Sequence, residues 1–150
     1  MEKEKDLYRE TWVRYLGYCN EVGEAFRRLV PSKLVTASYV VSTGYVCADT
    51  IDKSYKDYKK GSSLTNVGIT ASDVFIWQIL ASVVIPGFTI NRITYFSGRL
   101  LRQADVHKKL AKYLPTAFGL LSIPFIIPPI DNSVDYLMDN TYRKYISKTT

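Results

Sequence analysis

Few residues in this chain have the type and spacing that chemistry requires. The only histidine, His107, sits beside Lys108 and Lys109 in a basic segment, which leaves a nucleophile and base pair or a metal cluster little to build on. Cys19 and Cys47 both fall inside apolar patterns. They read as small buried thiols, and no disulfide framework is implied. No G-x-x-x-x-G-K-[ST] phosphate loop and no G-x-G-x-x-G turn occurs. No catalytic, cofactor-binding or metal-binding residue is assigned, and no cofactor is expected. Asp49, Asp73 and Arg92 stand at the ends of apolar stretches, where ionisable groups either serve a proton or ion path or mark the water boundary. Tyr55 and Tyr58 lie among Lys53, Lys56, Lys59 and Lys60. That interleaving can bind nucleic acid by charge and stacking, but between two apolar stretches it reads as a wet loop with interfacial tyrosines.

The elements that carry these residues are set by charge. Leu34 to Ile51, Val74 to Ile90 and Leu114 to Ile130 are almost free of it, and basic segments lie between them. The last two stretches are 17 residues each, the lower limit of about 17 for a helix to cross a hydrocarbon core roughly 30 Å thick. The mean hydropathy of −0.06 is low for a membrane protein, because charge is excluded from three windows and concentrated outside them. The expected fold is all-α: one domain over 1–150, a helical membrane bundle with spans at about 33–51, 74–91 and 114–130 and flanking amphipathic helices. A soluble single-core helical domain of this length is the competing class.

From Leu7 to Val30, Trp12, Tyr15/Leu16, Cys19, Val22, Phe26 and Leu29/Val30 recur at gaps of three and four, defining one apolar helical face. Arg9, Glu10, Arg14, Glu21, Glu24, Arg27 and Arg28 occupy the other side. This predicts an amphipathic helix over 6–30, either lying on a membrane surface or packed on its own bundle, ended by Pro31 with Ser32 as the next N-cap. In the first span, Ser38 with Ser42 and Gly44 with Ala48 are spaced for close helix approach. Asp52 to Asp73 reads as a polar connection broken by Gly61-Ser62-Ser63. Pro86-Gly87 predicts a kink or unwound turn in the second span, held where other groups satisfy the freed backbone. Arg92 to Tyr113 has helical spacing. Pro115 suits a first turn, whereas Pro124, Pro128 and Pro129 predict a bent or re-entrant third span. A C-terminal amphipathic helix follows at about 132–146.

The net charge is +6, and the segment from Arg92 to Lys112 gathers Arg92, Arg99, Arg102, Lys108, Lys109 and Lys112 against Asp105 alone. Clamped between apolar spans, such a segment meets anionic lipid headgroups more naturally than nucleic acid. The start, Met1 to Asp6, alternates acid and base and resembles neither a secretory signal nor a transit peptide, so import into an organelle is expected to use internal information.

Long blocks of the chain are also familiar. DLYRETWVRYLGYCNEVGEAFRRLVP (Asp6 to Pro31), ADTIDK (Ala48 to Lys53), DVFIWQILASVVIPGFTINR (Asp73 to Arg92), and TAFGLLSIPFIIPPID with SVDYLMD (Thr116 to Asp139) closely resemble the mitochondrial fission process protein 1 family. The match is collinear and covers most of the chain. The resemblance implies a non-enzymatic, multi-pass protein of the mitochondrial inner membrane, linked to division, network shape and inner-membrane integrity, with no catalytic residues to carry over. Expected partners are anionic inner-membrane lipids and other inner-membrane proteins, with self-association open and no nucleic acid. Two mechanisms are expected to compete: a lipid- and partner-binding adaptor, and a component or regulator of a proton or ion pathway, for which Ser38, Ser42, Thr43, Gln78 and Ser82 offer few lumen groups. With the location taken from the resemblance, Lys3, Lys5, Arg9, Arg14, Arg27, Arg28 and Lys33 join the Arg92 to Tyr113 loop on the richer side. The positive-inside rule then predicts a matrix N-terminus, with Lys53 to Lys60 and the tail in the intermembrane space.

Overall fold

The computed structural model describes residues 5–149 and is helical throughout. The elements are α1 (Leu7–Glu10), a 3-10 helix (Trp12–Tyr18), α2 (Cys19–Phe26), α3 (Ser32–Lys59), α4 (Leu64–Gln78), a π-helical turn (Ile79–Val84), α5 (Ile85–Gln103), α6 (Lys108–Asn140) and α7 (Tyr142–Thr149). Among the described residues there is no strand. The rods Leu64–Gln103 and Lys108–Thr149 are long and apolar enough to cross a membrane. Helix α3, which carries Leu34 to Ile51, is not among them, because serines, threonines and Asp49 dilute its apolar stretch.

The connections are shorter than the sequence suggests. Most of the polar segment Asp52 to Asp73 is helix, and the chain turns only around Gly61, whose φ of +87° is open to glycine without strain. The second turn runs through Asp105, at φ +54°, to His107, whose Nδ1 accepts the Lys109 N–H at 3.3 Å and caps α6. The lone histidine thus has a structural use.

Pro86 is accommodated without a break. A proline cannot donate to the carbonyl four residues earlier and its ring crowds that carbonyl; the preceding π turn shifts the pairing, so Ile85 N–H reaches Leu80 O instead. Helix α6 also passes through Pro115, Pro124, Pro128 and Pro129 as one element. Pro115 therefore lies inside the helix, and the third apolar stretch continues as helix past Pro124, Pro128 and Pro129 without folding back on itself. Asp131 to Asn140 extends the same helix because Val134 and Met138 pack with Trp77 and Ala81. The expected C-terminal helix at 132–146 is therefore divided at Thr141 between α6 and α7.

The largest difference lies at 6–30. One amphipathic helix is replaced by three short pieces: Thr11 is extended and caps the 3-10 helix, ending α1, and Ser32 begins α3 with Pro31 at its N-cap position. This segment fills the seam of the bundle. Helices α3 and α4 pair, α5 and α6 pair, and α2 packs against α3, α5 and α6. Ala25 reaches the core formed with Ile90, Ile123 and Ile127. Close approach is possible because a Cβ at Gly119 would stand 2.9 Å from Thr94 Cγ2 and 3.1 Å from Ala25 Cβ.

The segment also runs the length of the bundle. Asp6 pairs with Lys53 at 3.0 Å, whereas Arg28 lies beside Gly98, Arg102 and Lys108. The N-terminal end therefore sits with the 60–63 turn and the tail, opposite the Arg92 to Tyr113 segment. This corrects the expectation that the two share a side; the polar groups of 6–30 need partners that only the bundle interior supplies. Lys3, part of that charge count, lies outside the described residues.

Candidate functional site

Beside its apolar clusters this bundle buries a set of charged and polar side chains, while large apolar side chains lie on its surface. Arg14, Asn20, Glu21, Glu24, Ser42, Asp49, Gln78 and Ser82 are buried, while Trp12, Tyr15, Ile51, Phe88, Leu121 and Phe125 are largely exposed. The 6–30 segment is inverted from the expected arrangement: Arg14, Gly17, Asn20, Glu21 and Glu24 point inward, and Trp12, Tyr15, Leu16 and Val22 point outward.

One network begins at the N-terminal end. Lys53 Nζ bridges Asp6 at 3.0 Å and the fully buried Asp49 at 2.5 Å. Gln78 Nε2 donates to Asp49 at 2.6 Å and to the Tyr45 hydroxyl at 3.3 Å. Gln78 Oε1 accepts from Arg14 at 3.2 Å and from Ser82. Arg14 also donates to Ser82, and to Asp131 at 3.2 Å, so three other elements are tied to one guanidinium. A planar fork with five donors suits this role.

A second network lies toward the other end. Glu24 accepts from the Tyr39 hydroxyl at 2.7 Å, from Asn91 Nδ2 at 3.0 Å and from Arg27 at 2.6 Å and 2.8 Å. Asn20 donates its backbone N–H to Ser42 Oγ and its amide to Val83 O, each at 3.0 Å. The Pro86-Gly87 step belongs here, since a Cβ at Gly87 would meet the Tyr39 hydroxyl at 2.6 Å and Asn20 Nδ2 at 2.9 Å. Between the networks Glu21 is fully buried, and neither carboxylate oxygen has a hydrogen-bond partner.

Outside the bundle's apolar length, Arg143 binds Asp73, Asp135 and Asp139. Hydrogen bonds to Asp73 foremost hold its guanidinium even more firmly charged than usual. In the α3–α4 turn, hydroxyls of Ser62 and Thr70 donate to Asp57 at 2.7 Å and 2.8 Å and keep its carboxyl below the ordinary range.

The structure does not gather Asp49, Asp73 and Arg92. Asp49 joins the first network, Asp73 pairs with Arg143, and Arg92 stacks near Phe88 and Tyr95 at the far end. Ser42, Gln78 and Ser82 are buried, but the backbone of the 6–30 segment lies against Ser42 and the Arg14 side chain against Gln78 and Ser82, and Thr43 faces outward. Of the small-residue pairs, Ser38 and Ser42 face the N-terminal segment, whereas Gly44 has nothing within 4 Å. Cys19 and Cys47 are free. Arg14, Asn20, Glu21 and Glu24 were hidden from sequence reading, because a charged helical face ordinarily meets water; Gly17, falling on that same face, was the available sign of close packing.

The Mitochondrial 18 KDa protein (MTP18) family model matches residues 6–74 and 62–138. Relatives named "Mitochondrial fission process protein 1" are similar over nearly the whole chain: that of Homo sapiens is 52% identical over 94% of this chain and 88% of its own length. Those of Danio rerio and Caenorhabditis elegans are 51% and 49% identical, each over 97% of this chain and 92% of their own lengths. A protein of Acanthamoeba polyphaga mimivirus named "Uncharacterized protein R740" is 30% identical over 87% of this chain and 74% of its own. No solved structure matches. With the family model spanning both the buried Arg14 network and most of α6, and half the residues shared with each animal relative, this chain belongs to the Mitochondrial 18 KDa protein family.

Proposed function

We propose that the protein works in mitochondrial fission as a non-enzymatic adaptor embedded in the inner membrane, holding anionic lipid and other inner-membrane proteins, and that its described elements form one helical membrane domain. The observation that carries this reading is the inverted surface. Burying Arg14, Glu21, Glu24 and Asp49 while exposing Trp12, Phe88, Leu121 and Phe125 is costly in water, and it is the arrangement expected in lipid, where ionisable groups face the bundle interior and pair with one another. The names of the animal relatives supply the process, and the resemblance of the matched blocks supports the inner membrane. In this reading α3, α4–α5 and α6 are the three spans, and the 6–30 segment crosses beside them. Both termini then share the intermembrane space, with Arg92 to Lys112 at the matrix face. Alkaline carbonate extraction of mitochondria tests the embedding: the protein should stay in the pellet, and release into the supernatant overturns it. Rescue of mitochondrial morphology in cells lacking the protein tests the process.

A second reading draws on the continuous hydrogen-bonded path from Lys53 through Asp49, Gln78 and Ser82 to Arg14 and Asp131. Buried ionisable groups of this kind mark ion and proton pathways, and the protein would then conduct or regulate conduction. Proteoliposomes loaded with a pH-sensitive dye distinguish the readings: an adaptor adds no leak, whereas a relay adds one that Gln78→Leu abolishes.

A further inference from the structure

The outward face of the N-terminal segment does not pack smoothly against α6. Tyr15, Tyr18 and Val22 on one side and Ile123, Ile127 and Pro128 on the other line an apolar groove of about 590 Å³, within the range of about 300–1,000 Å³ typical of small-ligand sites. Toward the N-terminal end the same Tyr15 and Tyr18 form the wall of a second, polar recess of about 650 Å³. The two share walls and differ in chemistry.

The polar recess contains Lys5, Arg9 and Arg14 against the single acid Glu10. Arg14 is committed to Asp131, and Glu10 Oε2 accepts the Asp6 backbone N–H at 2.9 Å. Arg9 is less satisfied. Its guanidinium lies over the Trp77 ring, 3.8 Å from the centroid, and its buried Nε has no hydrogen-bond partner, the nearest carboxylate oxygen, on Asp6, standing 3.8 Å away. With Arg14 and Glu10 so engaged, Lys5 and Arg9 give the recess a net positive charge that a phosphate can pair. Trp12, 71% exposed on the rim of this recess, has the amphipathic ring found at membrane headgroup level.

We propose that these two adjoining spaces form one binding site for a phospholipid with an anionic headgroup: the phosphate lies in the recess against Arg9 and Lys5, and one acyl chain runs down the groove between Val22 and Ile127. Charge complementarity selects the headgroup, and the apolar groove, opening on the bundle's apolar surface, selects a tail. Pro124 and Pro128 add apolar ring surface to the groove wall. The site deepens the lipid-holding part of the proposed function and rests on the bundle being membrane-embedded.

The test uses the purified full chain in nanodiscs of phosphatidylcholine, with and without phosphatidylglycerol, reading the lipid retained after extraction into mild detergent. The wild type should retain phosphatidylglycerol over phosphatidylcholine. Arg9→Gln should reduce that preference about fivefold, the expected worth of one basic residue at an anionic surface, and Val22→Trp, which fills the groove, should abolish retention of both lipids. Lys112→Gln, in the basic cluster at the opposite end, should leave the preference unchanged. Equal retention of the two lipids by the wild type overturns the site, as does a loss in Lys112→Gln matching that in Arg9→Gln. Should glycerol phosphate displace the lipid, the tail groove is overturned and an anion pocket alone remains. Failure of the chain to enter nanodiscs at all defeats the membrane reading instead. Should Val22→Trp not fold, Ile127→Phe narrows the same groove, and unchanged lipid retention in that variant counts against the site.

Discussion

Arg14 is the residue on which most of the interior depends. Its guanidinium is the shared partner of Gln78, Ser82 and Asp131, and removing one member of a buried ionic cluster costs about 3–5 kcal/mol because the others are left uncompensated. Arg14→Leu should therefore lower the thermal midpoint in detergent well below that of Arg14→Lys, which keeps the charge but loses the fork. Glu21 is the opposite case. Both its carboxylate oxygens are buried without donors, an arrangement that is expensive for an ionised group, so Glu21→Gln should match or exceed the wild-type midpoint. A clear loss of stability would reveal a donor that Glu21 needs. Asp57 supplies a pH dependence outside the apolar length. Its folded carboxyl titrates below the ordinary value of 3.8, owing to the Ser62 and Thr70 hydroxyls. The stabilisation it adds is complete above 3.8 and disappears as the pH falls through the lower folded value. Amide exchange around residues 60–64 should accelerate only in that acid range, and Asp57→Asn should remove the transition.

At the scale of elements, helix contacts separate two kinds of glycine that the sequence presents alike. Gly44 has open space around it, whereas a side chain at Gly119 runs into Thr94 and Ala25. Gly44→Leu should thus change the thermal midpoint little, in the manner of an exposed substitution of about 0.5 kcal/mol or less, and Gly119→Leu should cost about 1–3 kcal/mol through overpacking. The close approach signalled by small residues is real, but it occurs at Ser38 and Ser42 and at glycines of the neighbouring segments. The Pro86-Gly87 step also divides into two effects. Pro86→Ala restores one backbone donor and allows the π turn at Ile79–Val84 to relax, while Gly87→Leu forces Tyr39 and Asn20 apart. In a morphology-rescue assay the glycine variant should be the more damaging of the two; the reverse order would place the function in the π turn itself.

For the whole molecule the decisive contact is Asp6 with Lys53. It carries the N-terminal end to the side of the 60–63 turn and the tail, and so redistributes the basic residues. Lys5 and Arg9 now stand with Lys53, Lys56, Lys59, Lys60, Arg143, Lys144 and Lys148, against Arg27, Arg28, Lys33 and the Arg92 to Lys112 cluster at the other end. Protease protection of tagged protein in mitoplasts should cleave tags at both termini together and spare one inserted after Asp105. Opposite behaviour of the two termini would mean that the 6–30 segment does not cross.

Much of this architecture was readable in advance. Charge exclusion located the apolar stretches now found in α3, α4–α5 and α6, because placing an ion in a low-dielectric environment is penalised whatever the fold. Three- and four-residue periodicity announced helices for the same local reason, and the long collinear blocks announced the family. What sequence could not decide is which face of a helix meets which medium. Period alone marks Trp12, Tyr15 and Val22 as one face and Arg14, Glu21 and Glu24 as another, yet it is silent on which is inside. Only tertiary structure brings Gln78, Ser82, Asn91 and Asp131 from distant positions to satisfy that polar face. Burial of a charge depends on partners, and partners separated by dozens of residues are invisible to any local pattern.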